Sequence, residues 1–303
     1  MTDHPAVGDA ATRGPVVVLG AGFVGAAVCD ALGARGHDHV VADLPTHPWL
    51  ADRDEAATES LTALIDEAGA VAVVNAVGRL RGTDDEMVAA NTAFPEWLVG
   101  ALCDRAIRLV HLGSAAEYGD PGGAEPVAET APCRPTGIYG TSKHEGSRHV
   151  LAARDAGMDA VVARGFNLVS GSLPPASPLA QWLGDVAQLP PNGGTVEVWE
   201  ADTVRDYILL SDLAAGVAAL ADPEVEVPEV VNLCSGVGLR YGDVVAAMIA
   251  AAGKEATVAS LDQGGIMAVV GDNTVLRDRF GVRPEMSIEL LVEHAGTAPA
   301  VTR

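Results

Sequence analysis

The chain has 303 residues, of which 19 are Lys or Arg and 41 are Asp or Glu, so its formal net charge is −22. That charge argues against a nucleic-acid partner and against an anionic membrane surface, because both need clustered cations. A hydrophobic content of 49% with 20% charged residues is typical of a folded globular protein. The length suits one large α/β domain, or a main domain with a smaller appendage.

Targeting and cross-linking features are scarce. The most apolar stretch, 16–32, contains three glycines and an aspartate, so we expect no transmembrane span. Residues 1–13 are polar, lack the apolar core of a secretory signal, and are expected to form a flexible N-terminus. The four cysteines are scattered without a CxxC pair. This favours a reducing cytoplasm over a disulfide scaffold or a zinc site, and we expect no metal.

From residue 14 to about 165, short β-branched runs alternate with helical patterns. The sequence predicts strands at 15–19, 39–42, 71–74, 108–112 and 160–163, and helices at 23–35, 55–68, 84–103 and 139–156. This alternation predicts an α/β fold with a Rossmann-type doubly wound parallel sheet. We therefore expect 14–165 to form one Rossmann domain.

The pattern changes after residue 165, where prolines and glycines mark loops. Further elements are predicted as strands at 196–199 and 230–233 and helices at 211–220 and 242–252. We expect 166–303 to form a smaller C-terminal portion that mainly binds substrate, with some elements returning to the sheet.

A glycine turn joins the first predicted strand to the first helix. Gly20, Gly22 and Gly25 give the pattern G-x-G-x-x-G, with Phe23 and Val24 at the start of the helix. Glycines allow a tight turn, and a helix N-terminus presents N–H groups to a dinucleotide diphosphate. The plainer alternative is a turn needed for helix–strand packing. In this position the pattern favours a dinucleotide-binding domain over 14–165.

Asp43 follows the second predicted strand, eighteen residues after Gly25. A carboxylate there can accept hydrogen bonds from a ribose 2′-hydroxyl and repels a 2′-phosphate. The next residues contain no Arg or Lys, so NAD is favoured over NADP. The alternative is an aspartate that caps the following turn.

Ser114, Tyr139 and Lys143 form the candidate reactive group. Tyr139 and Lys143 are four residues apart and therefore lie on one helix face. We expect the ammonium to lower the pKa of the phenol towards a range useful for acid–base work. Ser114 follows a strand at the edge where parallel sheets bind ligands. Each pattern alone also suits ordinary surface or turn residues.

In chain order, these segments resemble the extended short-chain dehydrogenase/reductase family, whose epimerases, dehydratases and reductases act on nucleotide sugars. The resemblance covers about 15–295. The matching segments are 20–25, 75–78 with Asn91, 114–119, 134–135 with Tyr139 and Lys143, 164–167, 204–208, 232–236 and 271–273.

The resemblance implies site roles that the residue patterns alone do not establish. It implies NAD binding by Gly20, Gly22, Phe23, Val24, Gly25, Asp43, Val77, Tyr139 and Lys143. It implies catalysis by Ser114, Tyr139 and Lys143, and substrate contacts from Ser114, from Asn167 beside the diphosphate and from Arg205 to a phosphate. It also implies a homodimer through helices near 86–103 and 139–156, whose apolar faces could equally be core. An alternative for Arg205 is a salt bridge with Asp202 or Asp206.

Two departures from the family pattern affect these expectations. Leu19 stands where the family's glycine turn usually begins, although the remaining turn is still G-x-G-x-x-G. The family's dehydratases carry an acid within two positions of the catalytic Ser or Thr, where this chain has Ala115 and Ala116. Glu117 comes one position late, and such a shift changes the direction of a side chain. Dehydration is therefore disfavoured.

Two reactions are favoured over the others. The first is reduction of a nucleotide-linked 4-keto-6-deoxyhexose, with Tyr139 as the proton donor. The second is a nucleotide-sugar 4-epimerase that retains its NAD. A non-catalytic dinucleotide-binding module would have no need of Ser114, Tyr139 and Lys143. A polyketide or steroid dehydrogenase would leave Asn167 and Arg205 without a role.

Overall fold

The fold was analysed in a computed structural model that describes residues 13–123, 125–173, 177–190, 193–261 and 268–296. Residues 1–12 of the expected flexible N-terminus lie outside these ranges. Within the described residues, no helix is long and apolar enough to cross a membrane.

Strands and helices alternate through the first half of the chain and mix more irregularly in the second. The strands are β1 (Arg13–Leu19), β2 (His37–Ala42), β3 (Ala72–Asn75), β4 (Arg108–Ser114), β5 (Ala160–Gly165), β6 (Asn167–Val169), β7 (Gly194–Trp199), β8 (Val204–Leu209), β9 (Val230–Leu233), β10 (Gly238–Arg240), β11 (Ala256–Leu261) and β12 (Ala268–Val269). The helices are α1 (Phe23–Ala34), α2 (Glu55–Ala68), α3 (Asp84–Val88), α4 (Phe94–Leu102), α5 (Gly137–Asp155), α6 (Pro178–Gln188), α7 (Leu210–Leu220), α8 (Tyr241–Ala251), α9 (Thr274–Phe280) and α10 (Ile288–Ala295).

The main sheet has six parallel strands in the order β2-β1-β3-β4-β5-β9. The chain runs outward from β1 to β2 and then crosses to β3 on the other side of β1. This reversal places the carboxyl ends of β1 and β3 side by side, where open α/β sheets bind ligands. The predicted Rossmann-type doubly wound sheet is confirmed.

Alternate residues of the buried strands supply two separate cores. Val16 and Val18 point into one core with residues of α1, α7 and α9, while Val17 points into the other with residues of α2, α4 and α5. All three side chains are fully buried. A strand that is covered on both faces needs apolar residues at every position, which explains the continuous β-branched run.

The second half contains elements that the sequence pattern did not predict, among them β6, α6 and β8. β8 pairs with β6, β10 and β12 in a second sheet, while β7 and β11 form a separate parallel pair. β9 joins the main sheet beside β5, in keeping with the expectation that some elements return to it. Lys254 donates to three backbone carbonyls at the end of α6, those of Val186, Ala187 and Leu189.

The predicted helix at 84–103 is also not continuous. A π-helical turn at Ala89–Ala93 separates α3 from α4. Asn91 lies in this turn, and its side chain exchanges hydrogen bonds of 2.8 Å with the backbone N–H and carbonyl of Arg79. The turn therefore holds the loop after β3 against the helix, and π-helical turns of this kind are frequent at functional sites.

Candidate active site

A cavity of about 780 Å³ opens at the carboxyl ends of β1, β3 and β4 and extends to the second sheet. Of the predicted site residues, Gly22, Phe23, Val24, Ser114, Tyr139, Lys143, Asn167 and Arg205 line it. Gly20, Gly25, Asp43 and Val77 are not among the lining residues. The structure thus brings the three reactive side chains, the start of α1 and both predicted substrate residues to one space.

Glycine occurs at each of the three positions of the turn for a different physical reason. Gly20 has a φ of +96°, which favours glycine. A Cβ on Gly25 would overlap the carbonyl oxygen of Gly20, so close packing of α1 on the turn requires glycine there. Gly22 lines the cavity, yet a Cβ on it would meet no protein atom within 4 Å. Protein packing alone therefore explains Gly25 but not Gly22.

The start of α1 is suited to an anion. No side chain caps this helix, and Gly22 stands at the N-cap position. The first N–H groups of an uncapped helix have no intrahelical partner and carry the positive end of the helix dipole. Together with the open space at Gly22, they fit the diphosphate of a dinucleotide.

The loop after β3 forms the neighbouring wall, and a buried polar chain fixes it. The N–H of Val77 donates to Asn75 Oδ1 at 3.1 Å, and Asn75 Nδ2 lies 3.0 Å from His111 Nδ1. Burial lowers the pKa of His111 to about 3, so its ring is neutral and Nδ1 can accept this bond. Val77 therefore supports the site from behind the cavity wall.

Asp43 lies where the sequence predicts it, directly after β2. Its carboxylate accepts hydrogen bonds from the backbone N–H and the hydroxyl of Thr46, which lower the pKa of Asp43. The side chain thus caps the following turn, the alternative use considered from the sequence. Gly20 donates to the Ala42 carbonyl at 2.8 Å, so the carboxylate stays close to the glycine turn.

Ser114 ends β4, Tyr139 lies in the first turn of α5, and Lys143 lies one turn later. Burial raises the pKa of Tyr139, and a hydrogen bond with Ser114 opposes that effect only in part. The expected lowering of the phenol's pKa by Lys143 is therefore not observed in this structure. Burial lowers the pKa of Lys143 itself to about 8, and its Nζ donates to the Leu112 carbonyl at 2.9 Å.

Two glycines let α5 come close enough for this arrangement. A Cβ on Gly146 would overlap the Asn91 carbonyl oxygen, so α5 packs backbone to backbone against the π-helical turn. A Cβ on Gly78 would lie 2.8 Å from Lys143 Nζ. The ammonium therefore lies directly against the loop that follows β3.

The predicted substrate residues lie on the opposite wall. Asn167 Nδ2 donates to the Asp206 carbonyl at 2.7 Å. The Arg205 guanidinium lies 5.7 Å from the centre of the Tyr241 ring and donates to the Val204 carbonyl at 2.9 Å.

The acidic neighbours considered as salt-bridge partners of Arg205 have other contacts. Asp202 pairs with Arg240. The Asp206 carboxylate accepts from Ser235, from the N–H of Gly236 at 2.8 Å and from the N–H of Gly271 at 3.1 Å. Asp206 thereby joins β8 to two loops of the second portion.

Sequence reasoning missed two of the cations that line the cavity. Arg79 and Arg81 line it together with Lys143 and Arg205, and no Asp or Glu does so among the residues that the structure describes. A cationic cavity in a chain of charge −22 points to anionic ligands. A usable signal existed, because Arg79 and Arg81 follow the end of a predicted strand.

Glu117 was considered only as a misplaced acid. Ala115 and Ala116 line the cavity, whereas the Glu117 side chain is fully buried behind it. The one-residue shift therefore turns the carboxylate away, as expected. Ligand atoms of Glu117, Cys133 and His144 lie within 4.8 Å of one another. However, Arg164 Nε already donates to this carboxylate at 3.0 Å, so its charge is balanced without a metal.

The doubly wound sheet and the cavity at the carboxyl ends of its strands define a Rossmann-fold enzyme class that binds a dinucleotide. Residues 16–234 match the model of the NAD dependent epimerase/dehydratase family, and the chain belongs to that family. This confirms the resemblance to extended short-chain dehydrogenases/reductases, and the family's name supports the expected NAD cofactor.

Similar proteins include dTDP-6-deoxy-L-talose 4-dehydrogenase (NAD(P)(+)) of Kitasatospora kifunensis, 29% identical over 93% of this chain and 94% of the relative. Among solved structures, RMD from Pseudomonas aeruginosa complexed with NADPH has a TM-score of 0.76 at 20% identity, covering 93% of this chain and 96% of that one. UDP-glucose-4-epimerase from Stenotrophomonas maltophila with bound NAD has a TM-score of 0.76 at 23% identity, covering 93% of this chain and 96% of that one. These structural likenesses show the fold.

Proposed function

We propose that the protein reduces a nucleotide-linked 4-keto-6-deoxyhexose to the corresponding alcohol. The observation that carries this proposal is the cavity itself, which combines Ser114, Tyr139 and Lys143 with Arg79, Arg81 and Arg205 and, within the described residues, no acid. Cations that come from the loop after β3 (Arg79 and Arg81) and from β8 (Arg205) suit a ligand pair in which cofactor and substrate each carry a diphosphate.

The mechanism follows from the state of the three reactive residues. A bound reduced nicotinamide cofactor would supply the hydride. Tyr139 holds its proton at neutral pH because burial raises its pKa, so its Oη donates that proton to the ketone oxygen. Ser114 Oγ hydrogen-bonds the same oxygen, and the Lys143 ammonium would hold the nicotinamide ribose.

NAD is the proposed cofactor, with NADP less favoured. Support comes from Asp43, whose carboxylate at the end of β2 repels a 2′-phosphate. The relative from Kitasatospora is named for both NAD and NADP, so we propose a preference rather than exclusion.

The alternative is a 4-epimerase with retained NAD, which uses the same side chains. It must begin by oxidising a hydroxyl, a step for which Tyr139 acts as base. The relative from Kitasatospora is named as a 4-dehydrogenase, which favours a net redox reaction at C4. A 4,6-dehydratase is disfavoured by Ala115 and Ala116 at the cavity wall.

One experiment separates these functions. The purified protein is first analysed for co-purifying nucleotide and then mixed with NADH and a panel of nucleotide-linked 4-keto sugars. Stoichiometric loss of NADH supports the reductase. Isomerisation of a nucleotide sugar with tightly retained NAD and no net redox change supports the epimerase and would overturn the proposal.

We further propose a cytoplasmic homodimer that pairs through α4 and α5. All four cysteines are free thiols, which suits a reducing compartment. Leu98, Leu102 and Val150 belong to the chain's own core, so the pairing would use the outer face with Glu96 and Arg148. Light scattering coupled to gel filtration tests it, and a monomer would contradict it.

A further inference from the structure

Glu117 is a charged group enclosed directly behind the reactive residues. It ends the turn that follows β4, and its side chain has no exposed surface. One carboxylate oxygen accepts from the Ser114 N–H at 2.8 Å and from Ser147 Oγ at 2.9 Å. The other accepts from Arg164 Nε at 3.0 Å. Glu117 thus ties β4, α5 and β5 together at the back of the cavity.

Titratable and charged groups face this carboxylate from every element packed around it. They are Arg164 on β5, His144 on α5 with its Nδ1 at 3.9 Å, Tyr139 and Lys143 on the same helix, His111 on β4 and Cys133 in the loop before α5. Burial acts to raise the pKa of Glu117, but its hydrogen bonds and the Arg164 charge hold it below its usual value. The carboxylate is therefore ionised at neutral pH.

We propose that Glu117 is a positioning residue that keeps Lys143 in its ammonium form and fixes the Ser114 turn. This inference deepens the proposed function and rests on it. Glu117 touches neither cofactor nor substrate space, because it does not line the cavity. Hydrogen bonds place its carboxylate beside Lys143. Ser147, which donates to this carboxylate, lies one turn after Lys143 on α5, and Leu112, which accepts from Lys143 Nζ, lies two residues before Ser114. Glu117 acts through Lys143 by charge and through Ser114 by its bond to the backbone N–H.

The need for a counter-charge follows from the surroundings of Lys143. Its Nζ is buried and donates to a neutral carbonyl, so burial favours the uncharged amine. Within the described residues no acid lines the cavity, and Glu117 is the charge that raises the pKa of Lys143 against burial. Without it, Lys143 loses its proton at a lower pH.

The chain allows a direct test because it contains only two lysines, Lys143 and Lys254. The full-length protein is labelled with ¹³C,¹⁵N-lysine, and the side-chain Cε shift of each lysine is followed against pH by NMR. In Glu117→Gln we expect the Lys143 midpoint to fall by roughly one pH unit, the scale of a nearby opposite charge. Lys254 lies in the second portion, and its signal is the internal control.

Ser147→Ala is the matched control, because it removes a hydrogen bond to the same carboxylate and leaves the charge. We expect its Lys143 midpoint to stay at the wild-type value. If Glu117→Gln misfolds because Arg164 is left unpaired, Glu117→Gln with Arg164→Met removes both charges. We then expect a smaller downward shift of the Lys143 midpoint, because loss of the neighbouring Arg164 cation favours the ammonium and opposes part of the effect.

The titration needs neither cofactor nor substrate, so its outcome is independent of the proposed reaction. An unchanged Lys143 midpoint in Glu117→Gln or the double variant would overturn the inference, whichever sugar the enzyme uses. If the Lys143 midpoint shifts but none of the 4-keto sugars is reduced, only the proposed reaction is overturned, and the role of Glu117 stands.

Discussion

Tyr139 and Lys143 both line the cavity, and burial moves their pKa values in opposite directions. The reason is the charge each group gains or loses. Burial disfavours the phenolate of Tyr139, which raises its pKa, and disfavours the ammonium of Lys143, which lowers its pKa. Both effects favour the neutral forms. At neutral pH, Tyr139 therefore carries its proton, and the pKa of Lys143, about 8, lies close to the working pH.

Replacing Tyr139 by Phe tests the proton donor. We expect the rate of ketone reduction to fall by roughly 10²- to 10⁴-fold, because the variant keeps the ring and loses the hydroxyl. NADH affinity, measured by fluorescence titration, should stay within about twofold of the wild type. A variant that retains near-wild-type turnover would reject Tyr139 as the donor.

The activity should also depend on the charge of Lys143. With a pKa of about 8, the ammonium is lost as the pH rises through that value, so we expect kcat/KM for ketone reduction to fall above about pH 8. Below that pH the ammonium is present and its contribution is complete. A profile that stays flat to pH 10 would show that the reaction does not need the charged lysine.

At the scale of elements, the turn from β1 to α1 contains a matched pair of glycines. Gly22→Ala adds a methyl group that meets no protein atom, whereas Gly25→Ala adds one that overlaps the Gly20 carbonyl. We expect Gly22→Ala to keep the wild-type Tm and to bind NADH at least about tenfold more weakly, about 1.4 kcal/mol.

For Gly25→Ala we expect a loss of about 1–3 kcal/mol in the free energy of unfolding, because overpacking forces the helix away from the turn. Thermal unfolding and NADH titration of both variants check the pair. If Gly22→Ala binds NADH as the wild type does, the diphosphate lies elsewhere.

Local pattern predicted several elements closely in both halves of the chain. The predicted helix at 55–68 and the predicted strand at 230–233 match α2 and β9. A long amphipathic pattern and a continuous apolar run are both clear enough to be assigned from the sequence alone. β6 has three residues and β12 has two, so neither is long enough to show the alternating pattern by which a strand is recognised in a sequence. Their identity as strands comes from pairing with β8, which sequence periodicity does not record.

The candidate site divides in the same way. Ser114, Tyr139 and Lys143 are recognisable because they stand at fixed positions relative to one strand and one helix. Glu117 was not recognisable, because its surroundings depend on Arg164, 47 residues further along the chain. The raised pKa of Tyr139 likewise depends on burial by distant segments.

At the scale of the whole molecule, the two portions share one sheet and one core. β9 pairs with β5, and Leu213, Val217 and Leu276 pack in the same core as Val16 and Val18. The packing therefore continues across the predicted boundary near residue 165.

Arg108 links the two halves through a buried guanidinium. Its Nε lies 3.0 Å from Asp159, and its Nη1 donates to the carbonyls of Asp222 and of Val225 beyond α7. The arginine side chain is buried, whereas its partner Asp159 is half-exposed. The backbone carbonyls therefore depend on Arg108 more than the aspartate does.

This coupling predicts one cooperative unfolding transition for both portions. We expect far-UV circular dichroism and tryptophan fluorescence to give the same denaturant midpoint. Arg108→Met should lower the free energy of unfolding by about 2–4 kcal/mol without splitting the transition, because it leaves buried carbonyls unpaired. Asp159→Asn, which keeps the guanidinium and changes a half-exposed partner, should cost less than about 1 kcal/mol. Two separate transitions in the wild type would mean that the C-terminal portion folds as its own unit, with β9 contributing little to the stability of the main sheet.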